Sequence, residues 1–191
     1  MADWQTYYNQ HLSRPPRPIL TRAVALCVRK ETALELGAGT LVESKLLLDS
    51  GFARVVAVDS SPEVEKFAEG ISDDRLEVLV SPFQDLALSP ETYDLISAQY
   101  ALPFHGPEGF QDFIAKLVFS LKKDGVFVGQ FFGDRDGWNT AESKLAFQTK
   151  EEALDLLKDL QIKEFVEEEK EAKTAAGEDK HWHVFHFIGV K

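Results

Sequence analysis

Two glycines and an acidic residue have the spacing of a site for a ribose-containing ligand. Gly37 and Gly39 follow a short apolar run, and Asp59 ends the next apolar run about 20 positions later. Glycines between a strand and a helix let backbone N–H groups approach a ligand closely. A carboxylate at the end of the following strand can accept hydrogen bonds from both hydroxyls of a ribose. We therefore expect a ligand that contains a ribose at this loop.

A dinucleotide site is the main alternative at the same loop. Its fingerprint requires a third glycine in the pattern G-x-G-x-x-G, and Val42 stands at that position. The missing glycine weakens the case for a bound pyrophosphate. A G-x-G turn by itself is common, so the loop alone leaves an NAD(P)-dependent oxidoreductase open.

Polar residues follow the fourth apolar run. Gln99 and Tyr100 stand where that strand should end, and His105 comes shortly afterwards. His105 could act as a general base, whereas ordinary strand-end hydrogen bonds and a solvated histidine are the alternatives. The sequence contains no Ser-His-Asp spacing, no H-E-x-x-H and no G-x-x-x-x-G-K-[ST] loop.

Two further groups of residues invite a chemical interpretation. His181 and His183 share one face of the last predicted strand, but no other ligand completes a zinc set, so we expect no metal site. Arg135 stands between two aspartates and belongs either to a local ion-pair turn or to an acceptor pocket.

Strands and helices alternate along the chain. The strands expected at 33–36, 54–59, 76–80, 93–98 and 126–132 are apolar, and the second is apolar on both faces, as in a buried parallel strand. Helices are expected at 41–50, 62–69, 107–121 and 149–160, the last beginning with the capping box Thr149 and Glu152. Strands at 162–169 and 181–190 have no helix between them, which predicts an antiparallel hairpin. This order predicts an open, mostly parallel α/β sheet with its ligand at the carboxyl ends of the strands.

Composition restricts the class of protein. The 191 residues suit one globular domain, and the single cysteine, Cys27, excludes an internal disulfide. No secretory signal and no apolar stretch long enough to span a bilayer is visible, so we expect a cytoplasmic protein without a membrane partner. The net charge of -11 argues against nucleic acid as a partner. The oligomeric state is left open.

Several segments resemble the motifs of class I S-adenosylmethionine (SAM)-dependent methyltransferases. Residues 35–40, Glu-Leu-Gly-Ala-Gly-Thr, resemble the first motif, and residues 56–62, Val-Ala-Val-Asp-Ser-Ser-Pro, resemble the second. Residues 81–86 resemble the segment that packs on adenine. Leu41 replaces the family's usual third glycine, and Pro82 stands where many members carry an aspartate. Residues 129–136 and the C-terminal Lys-His-Trp-His-Val-Phe-His resemble a group of small stand-alone bacterial methyltransferases.

The resemblance implies a Rossmann-like three-layer sandwich with a mostly parallel seven-stranded sheet and an antiparallel C-terminal strand. It implies a SAM-binding domain at 31–191 and an N-terminal helical segment, 1–30, that caps the cofactor pocket. Trp4, Tyr7, Tyr8 and His11 could form that cap, or could pack as a helix on the sheet. The residues implied to bind SAM are Glu35, Gly37, Ala38, Gly39, Asp59, Ser60, Phe83, Gln84 and Gln99.

The implied function is methyl transfer from SAM to a small-molecule acceptor, with S-adenosylhomocysteine (SAH) as product. Tyr100 and His105 are the candidate catalytic residues. In-line methyl transfer depends mainly on alignment and exclusion of water, which fits the lack of a conspicuous catalytic constellation. The apolar residues 101–104 favour a small or hydrophobic acceptor. An oxidoreductase and a non-catalytic SAM-binding protein of the same fold are the alternatives.

Overall fold

The computed structural model describes Tyr8 and residues 14–191. The elements in this part of the chain are α1 (Pro18–Leu26), β1 (Thr32–Leu36), α2 (Val42–Asp49), β2 (Arg54–Asp59), α3 (Glu63–Ala68), β3 (Leu76–Val80), β4 (Tyr93–Ala98), α4 (Phe110–Ser120), β5 (Leu121–Gly133), β6 (Phe147–Gln148), α5 (Lys150–Leu156), β7 (Gln161–Lys173) and β8 (Asp179–Val190). Short 3-10 helices at Phe83–Asp85 and Leu102–His105 follow β3 and β4. No helix of the described residues has the length and apolar character needed to cross a membrane.

The strands form one eight-stranded sheet in the order β3-β2-β1-β4-β5-β8-β7, with β6 paired to β5. Strands β1 to β5 run parallel to one another, whereas β8 runs antiparallel to both β5 and β7. The predicted Rossmann-like fold is therefore confirmed. The eighth strand, β6, was not predicted because it is only two residues long. It pairs with Phe132 and Gly133, beyond the point where β4 has left β5.

Both faces of the sheet are covered, which explains the apolar character of its central strands. On one face, Phe131 and Phe187 pack with residues of α4 and α5. On the other face, Val128 and Ile188 pack with residues of α1 and α2. Within the segment 1–30, helix α1 therefore packs on the sheet.

The boundaries of the helices follow local signals closely. Helix α5 begins with the predicted capping box: the Glu152 N–H donates to Thr149 Oγ1 at 3.2 Å, and the Thr149 N–H donates to Glu152 Oε2 at 2.8 Å. Helix α4 begins at Phe110, three residues later than predicted, after Gly109 with φ +70°.

The terminal hairpin is longer than predicted. Strand β8 pairs with β5 only as far as Val184 opposite Phe132, and its first residues, Asp179–His183, pair with β7 alone. The residues by which the two strands exceed the prediction on the turn side, 170–173 and 179–180, are mostly polar and resemble a loop in sequence, but an antiparallel edge pair tolerates polar side chains on its exposed face. The hairpin consequently extends past the carboxyl ends of the parallel strands.

Candidate functional site

A cleft of about 750 Å³ lies at the carboxyl ends of the parallel strands. Its volume is within the range of roughly 300–1,000 Å³ usual for ligand sites, and its position is the one expected for an open α/β sheet. One part is lined by the loops after β1, β2 and β3, and another by the end of β4 and by the β7–β8 hairpin. The sequence-predicted residues that line it are Gly37, Gly39, Asp59, Ser60, Phe83, Gln84, Gln99 and Tyr100.

The glycine loop is fixed by backbone contacts. The N–H groups of Gly37 and Ala38 both donate to the Val58 carbonyl oxygen, at 2.8 and 3.0 Å. Gly37 has φ +69°, and a Cβ added to it would lie 2.6 Å from the Cβ of Ala101. The loop after β1 therefore packs directly against the segment after β4, an approach that only glycine permits.

Leu41, which replaces the family's third glycine, retains a glycine-like backbone. Its φ is +60°, in the left-handed region, and its side chain is fully buried. A left-handed conformation costs a residue with a Cβ about 1–2 kcal/mol, whereas complete burial of a leucine contributes roughly 1.5–3 kcal/mol. Burial of the side chain thus offsets the backbone strain, and the loop keeps its shape without the glycine.

Asp59 lines the part of the cleft beside the glycine loop. Its Oδ2 accepts the Gly39 N–H at 2.8 Å, and its Oδ1 accepts the Ser61 N–H at 2.9 Å and the Tyr8 hydroxyl at 3.4 Å. Because each carboxylate oxygen has two lone pairs, Oδ2 retains acceptor capacity for a ligand hydroxyl. The carboxylate is thus held in place by the backbone while it remains able to bind a ribose.

Tyr8 covers this part of the cleft. Its ring lies against the position where a Gly39 Cβ would be, with Cε1 3.4 Å away, and it packs edge-on to Phe67 at 5.5 Å. The other residues predicted for the cap, Trp4, Tyr7 and His11, lie outside the described residues.

Glu35 and Ala38 do not line the cleft, although the motif suggested direct contacts with the cofactor. Glu35 is buried beneath the loop and accepts a hydrogen bond from Ser44 Oγ. Burial, together with the nearby Glu43 carboxylate, raises the pKa of Glu35 well above its usual range. Ala38, within the loop, packs with Leu41, Ala57 and Val64.

The segment after β3 lines the opposite wall. Phe83 stacks on Phe113 with ring centres 5.8 Å apart, and the Gln84 side-chain amide donates to the His105 carbonyl oxygen at 2.8 Å. Ser60 is exposed at the rim. Ser60, Phe83 and Gln84 thus border the same cleft, and their contact with adenine stays a prediction.

A polar chain supports the end of β4. Tyr100 has φ +58°, and its N–H donates to Gln130 Oε1 at 2.7 Å. Gln130 Nε2 in turn donates to Gln99 Oε1 at 3.2 Å, and Gln99 Nε2 donates to Ser97 Oγ at 3.1 Å. Gln130 is fully buried and was missed as a site residue, although a glutamine inside the apolar strand β5 was the available signal. This series of hydrogen bonds holds the Tyr100 backbone at its positive φ. Strained backbone conformations of this kind are concentrated at functional sites.

His105, the other candidate catalytic residue, does not line the cleft. Its ring stacks on Phe113 with centres 4.5 Å apart, and its Nδ1 lies 3.1 Å from the Gly106 carbonyl oxygen. Of the two candidates, only Tyr100 faces the cleft.

An aromatic wall, which consists of Phe132, Trp138 and Trp182, borders the cleft on the side of the hairpin. The Lys180 ammonium lies 4.6, 3.7 and 3.4 Å from the centres of these three rings and 2.8 Å from Asp136 Oδ1. Burial lowers the pKa of Lys180. Sequence reasoning missed the wall because its members come from three separate segments.

Arg135 forms ion pairs with the hairpin and a longer one with its neighbour Asp134, whose Oδ1 lies 3.8 Å from Arg135 Nη1. Its Nη2 lies 2.8 Å from both Glu167 and Glu169 and 3.1 Å from His183 Nε2. The guanidinium lowers the pKa of each glutamate to about 2. Glu167, Glu169 and His183 have the geometry of a metal-binding group, but a cation would have to displace this arginine.

Comparison with known proteins identifies the family. The family model described as a methyltransferase domain matches residues 34–129, which is half of the chain. The chain belongs to this family of class I SAM-dependent methyltransferases, and SAM is its cofactor. The match decides against the oxidoreductase alternative. No curated protein matches the sequence.

Solved structures agree in fold. TehB from Haemophilus influenzae is 15% identical with a TM-score of 0.78, over 98% of this chain and 67% of that one. The methyltransferase in a complex with the Trm112 activator of Haloferax volcanii is 17% identical with a TM-score of 0.71, over 98% and 93%. A SAM-dependent methyltransferase from Listeria monocytogenes is 16% identical with a TM-score of 0.67, over 90% and 97%. Identities this low establish the shared fold alone.

Proposed function

We propose that this chain transfers the methyl group of SAM to a small-molecule acceptor. The observation that carries the proposal is the continuity of the cleft from Asp59 to the aromatic wall under the overhanging hairpin. A cleft of about 750 Å³ that holds both SAM and an acceptor leaves space for only a small acceptor. The net charge of -11 also disfavours a nucleic acid in this position.

We assign the cofactor contacts to the residues that line the cleft. Asp59 binds the ribose hydroxyls, Ser60, Phe83 and Gln84 border the adenine, and Gly37, Gly39 and Gln99 surround the methionine part. Glu35 supports the loop from beneath, and Ala38 packs within it. The assignment rests on the glycine cradle, where a Cβ would meet Ala101, and on the remaining acceptor capacity of Asp59.

When bound, SAM would supply a methyl group on a positively charged sulfur for transfer to the acceptor. The protein aligns the two reactants and excludes water. Tyr100, held by Gln130, stands between the cofactor part of the cleft and the aromatic wall and positions the acceptor. His105 has no part in this mechanism, since its ring stacks on Phe113 outside the cleft.

We also propose that the residues before α1 cover the cofactor, whereas residues 31–191 form the SAM-binding domain. Tyr8 contacts Asp59 and lies over Gly39. Arg14 binds Glu43 of α2 through two hydrogen bonds of 2.6 and 2.5 Å, and the Arg17 N–H donates to the same carboxylate at 3.2 Å. These bonds attach the segment to the helix that follows the glycine loop.

The cofactor assignment is tested by calorimetric titration of SAH into Asp59→Asn. We expect at least tenfold weaker binding than in the wild type, because a charge-assisted hydrogen bond contributes about 1.5–3 kcal/mol. Asp73→Asn is the control, since Asp73 also accepts a backbone N–H but lies outside the cleft lining. Equal affinities of wild type and Asp59→Asn would remove Asp59 from the ribose site.

Turnover distinguishes an enzyme from a non-catalytic SAM-binding protein of this fold. Radiolabelled SAM is incubated with thiol, halide, carboxylate and amine acceptors, and methylated product is measured. We expect product with at least one class of acceptor. Tight SAH binding without product from any class would favour the non-catalytic alternative.

A further inference from the structure

The acceptor side of the cleft contains a guanidinium group without a carboxylate partner. Arg17 lines the cleft, and its Cζ lies 4.3 Å from the centre of the Tyr100 ring. Among the described residues, no acceptor binds the Arg17 side chain, and its Nε is buried without a hydrogen bond. A partly buried guanidinium whose N–H groups lack acceptors favours an anionic ligand that can accept hydrogen bonds from them.

The other charges nearby largely compensate one another. Lys170 pairs with Glu168 at 2.8 Å, and Glu168 also lies 3.7 Å from His186. Burial, assisted by the positive charges of Lys170 and Arg17 and opposed by Glu168, lowers the pKa of His186, which leaves it neutral at pH 7. Lys173 pairs with Asp179 at 2.9 Å.

Two more carboxylates line the cleft, both without a bond to Arg17. Asp59 is bound by the N–H groups of Gly39 and Ser61, and Glu178 is exposed beside the hairpin turn. Among the described residues, Arg17 is therefore a partly buried positive charge in the cleft that no carboxylate compensates, in a protein whose net charge is -11.

The order of the strands places this charge on the acceptor side. Gly39 and Asp59 follow β1 and β2, whereas Tyr100 follows β4, and His186 lies on β8. Strands β4, β5 and β8 all lie on the far side of β1 from β2. The guanidinium thus lies against the Tyr100 ring, next to the residues that we propose surround the acceptor.

We propose that the acceptor is a small organic anion. Its negatively charged group binds Arg17, and its apolar part packs against the aromatic wall of Phe132, Trp138 and Trp182. A carboxylate suits this position, because guanidinium and carboxylate form two parallel hydrogen bonds. This inference rests on the proposed methyl transfer and adds the chemical class of the acceptor.

Binding to the SAH-saturated protein tests the inference without need of the natural acceptor. Acetate, benzoate and phenylacetate are titrated calorimetrically alongside acetamide, benzamide and phenylacetamide. We expect at least one anion to bind tenfold or more tightly than its amide. Arg17→Gln should weaken that binding at least tenfold and leave the SAH affinity unchanged, and Arg17→Lys should restore part of it.

Arg22→Gln is the matched control, because Arg22 lies on α1 and pairs with Glu164 away from the cleft. It should bind both SAH and the anion as the wild type does, and circular dichroism checks that each variant is folded. Equal binding of every anion and its amide would overturn the inference. A loss of SAH affinity in Arg17→Gln with anion binding unchanged would instead assign the guanidinium to the cofactor carboxylate. Failure of the wild type to bind SAH would refute the proposed function itself.

Discussion

Gly37 and Gly109 have the same backbone conformation but different surroundings. Their φ angles are +69° and +70°, yet a Cβ at Gly37 would lie 2.6 Å from Ala101 Cβ, whereas a Cβ at Gly109 would meet nothing within 4 Å. Comparison of the two positions therefore distinguishes two requirements that glycine can meet. One is a backbone with positive φ, and the other is the close approach of another segment.

Alanine substitution at these positions should separate the two effects. Gly109→Ala should lower the free energy of unfolding by about 1–2 kcal/mol through backbone strain. Gly37→Ala should cost a further ~1–3 kcal/mol, because the methyl group forces the loops after β1 and β4 apart. It should also weaken SAH binding at least tenfold, whereas Gly109→Ala should not. Urea denaturation and calorimetry measure both quantities, and equal effects of the two variants would contradict the packing argument.

The sequence predicted individual cleft residues where a motif consists of residues close together in the chain. Gly37, Gly39 and Asp59 have a characteristic spacing, and all three line the cleft. Arg17 and Gln130 were not predicted as site residues, because their positions depend on contacts with Tyr100 that the sequence does not display. His105 was placed near the site by its position after β4, but stacking on Phe113 directs its ring elsewhere.

At the level of elements, the β7–β8 hairpin contributes most to the acceptor side. Its overhang brings Trp182 and Lys180 beside Trp138, which belongs to the segment after β5. The Lys180 ammonium and the Asp136 carboxylate form an almost fully buried ion pair that joins the hairpin to that segment. Asp136 also accepts the N–H groups of Trp138 and His183, at 2.9 and 3.2 Å.

Removal of one partner of this ion pair should be costly. Lys180→Met leaves the Asp136 charge buried and unpaired, so we expect a loss of about 3–5 kcal/mol in the free energy of unfolding. The double variant Lys180→Met/Asp136→Asn should recover much of that loss, since no charge then remains uncompensated. Guanidinium denaturation followed by tryptophan fluorescence measures both. A single variant as stable as the wild type would show that the pair has no structural role.

At the scale of the whole molecule, the sheet is joined to an N-terminal segment that we propose covers the cofactor. Helix α1 packs on the sheet, while Tyr8 and Arg14 contact Asp59 and Glu43 beside the glycine loop. A cofactor beneath this cover can leave only after the cover opens. The rate of SAH dissociation therefore reports on the proposed cover more directly than the affinity does.

A shortened chain that begins at residue 14 should release SAH at least tenfold faster than the full chain. Stopped-flow fluorescence measures the rate, and Tyr8→Ala in the full chain tests whether Tyr8 accounts for the change. Tyr8→Phe is the control, because it keeps the ring over Gly39 and removes only the 3.4 Å hydrogen bond to Asp59. Identical dissociation rates for the full and shortened chains would show that the segment does not cover the cofactor.

The amino-acid sequence by itself determined the parallel strands, the capping box of α5, the glycine loop and the position of Asp59. Each of these depends on residues close together in the chain or on the pattern of one strand or helix. Only the tertiary structure decided the contacts of Arg17 with Tyr100, of Arg135 with Glu167, and of Lys180 with Asp136. Lys180 and Asp136 are 44 positions apart, and strand order and register bring them together. The cofactor side could therefore be predicted from local motifs, whereas the acceptor side arises from distant segments that meet only in the folded protein.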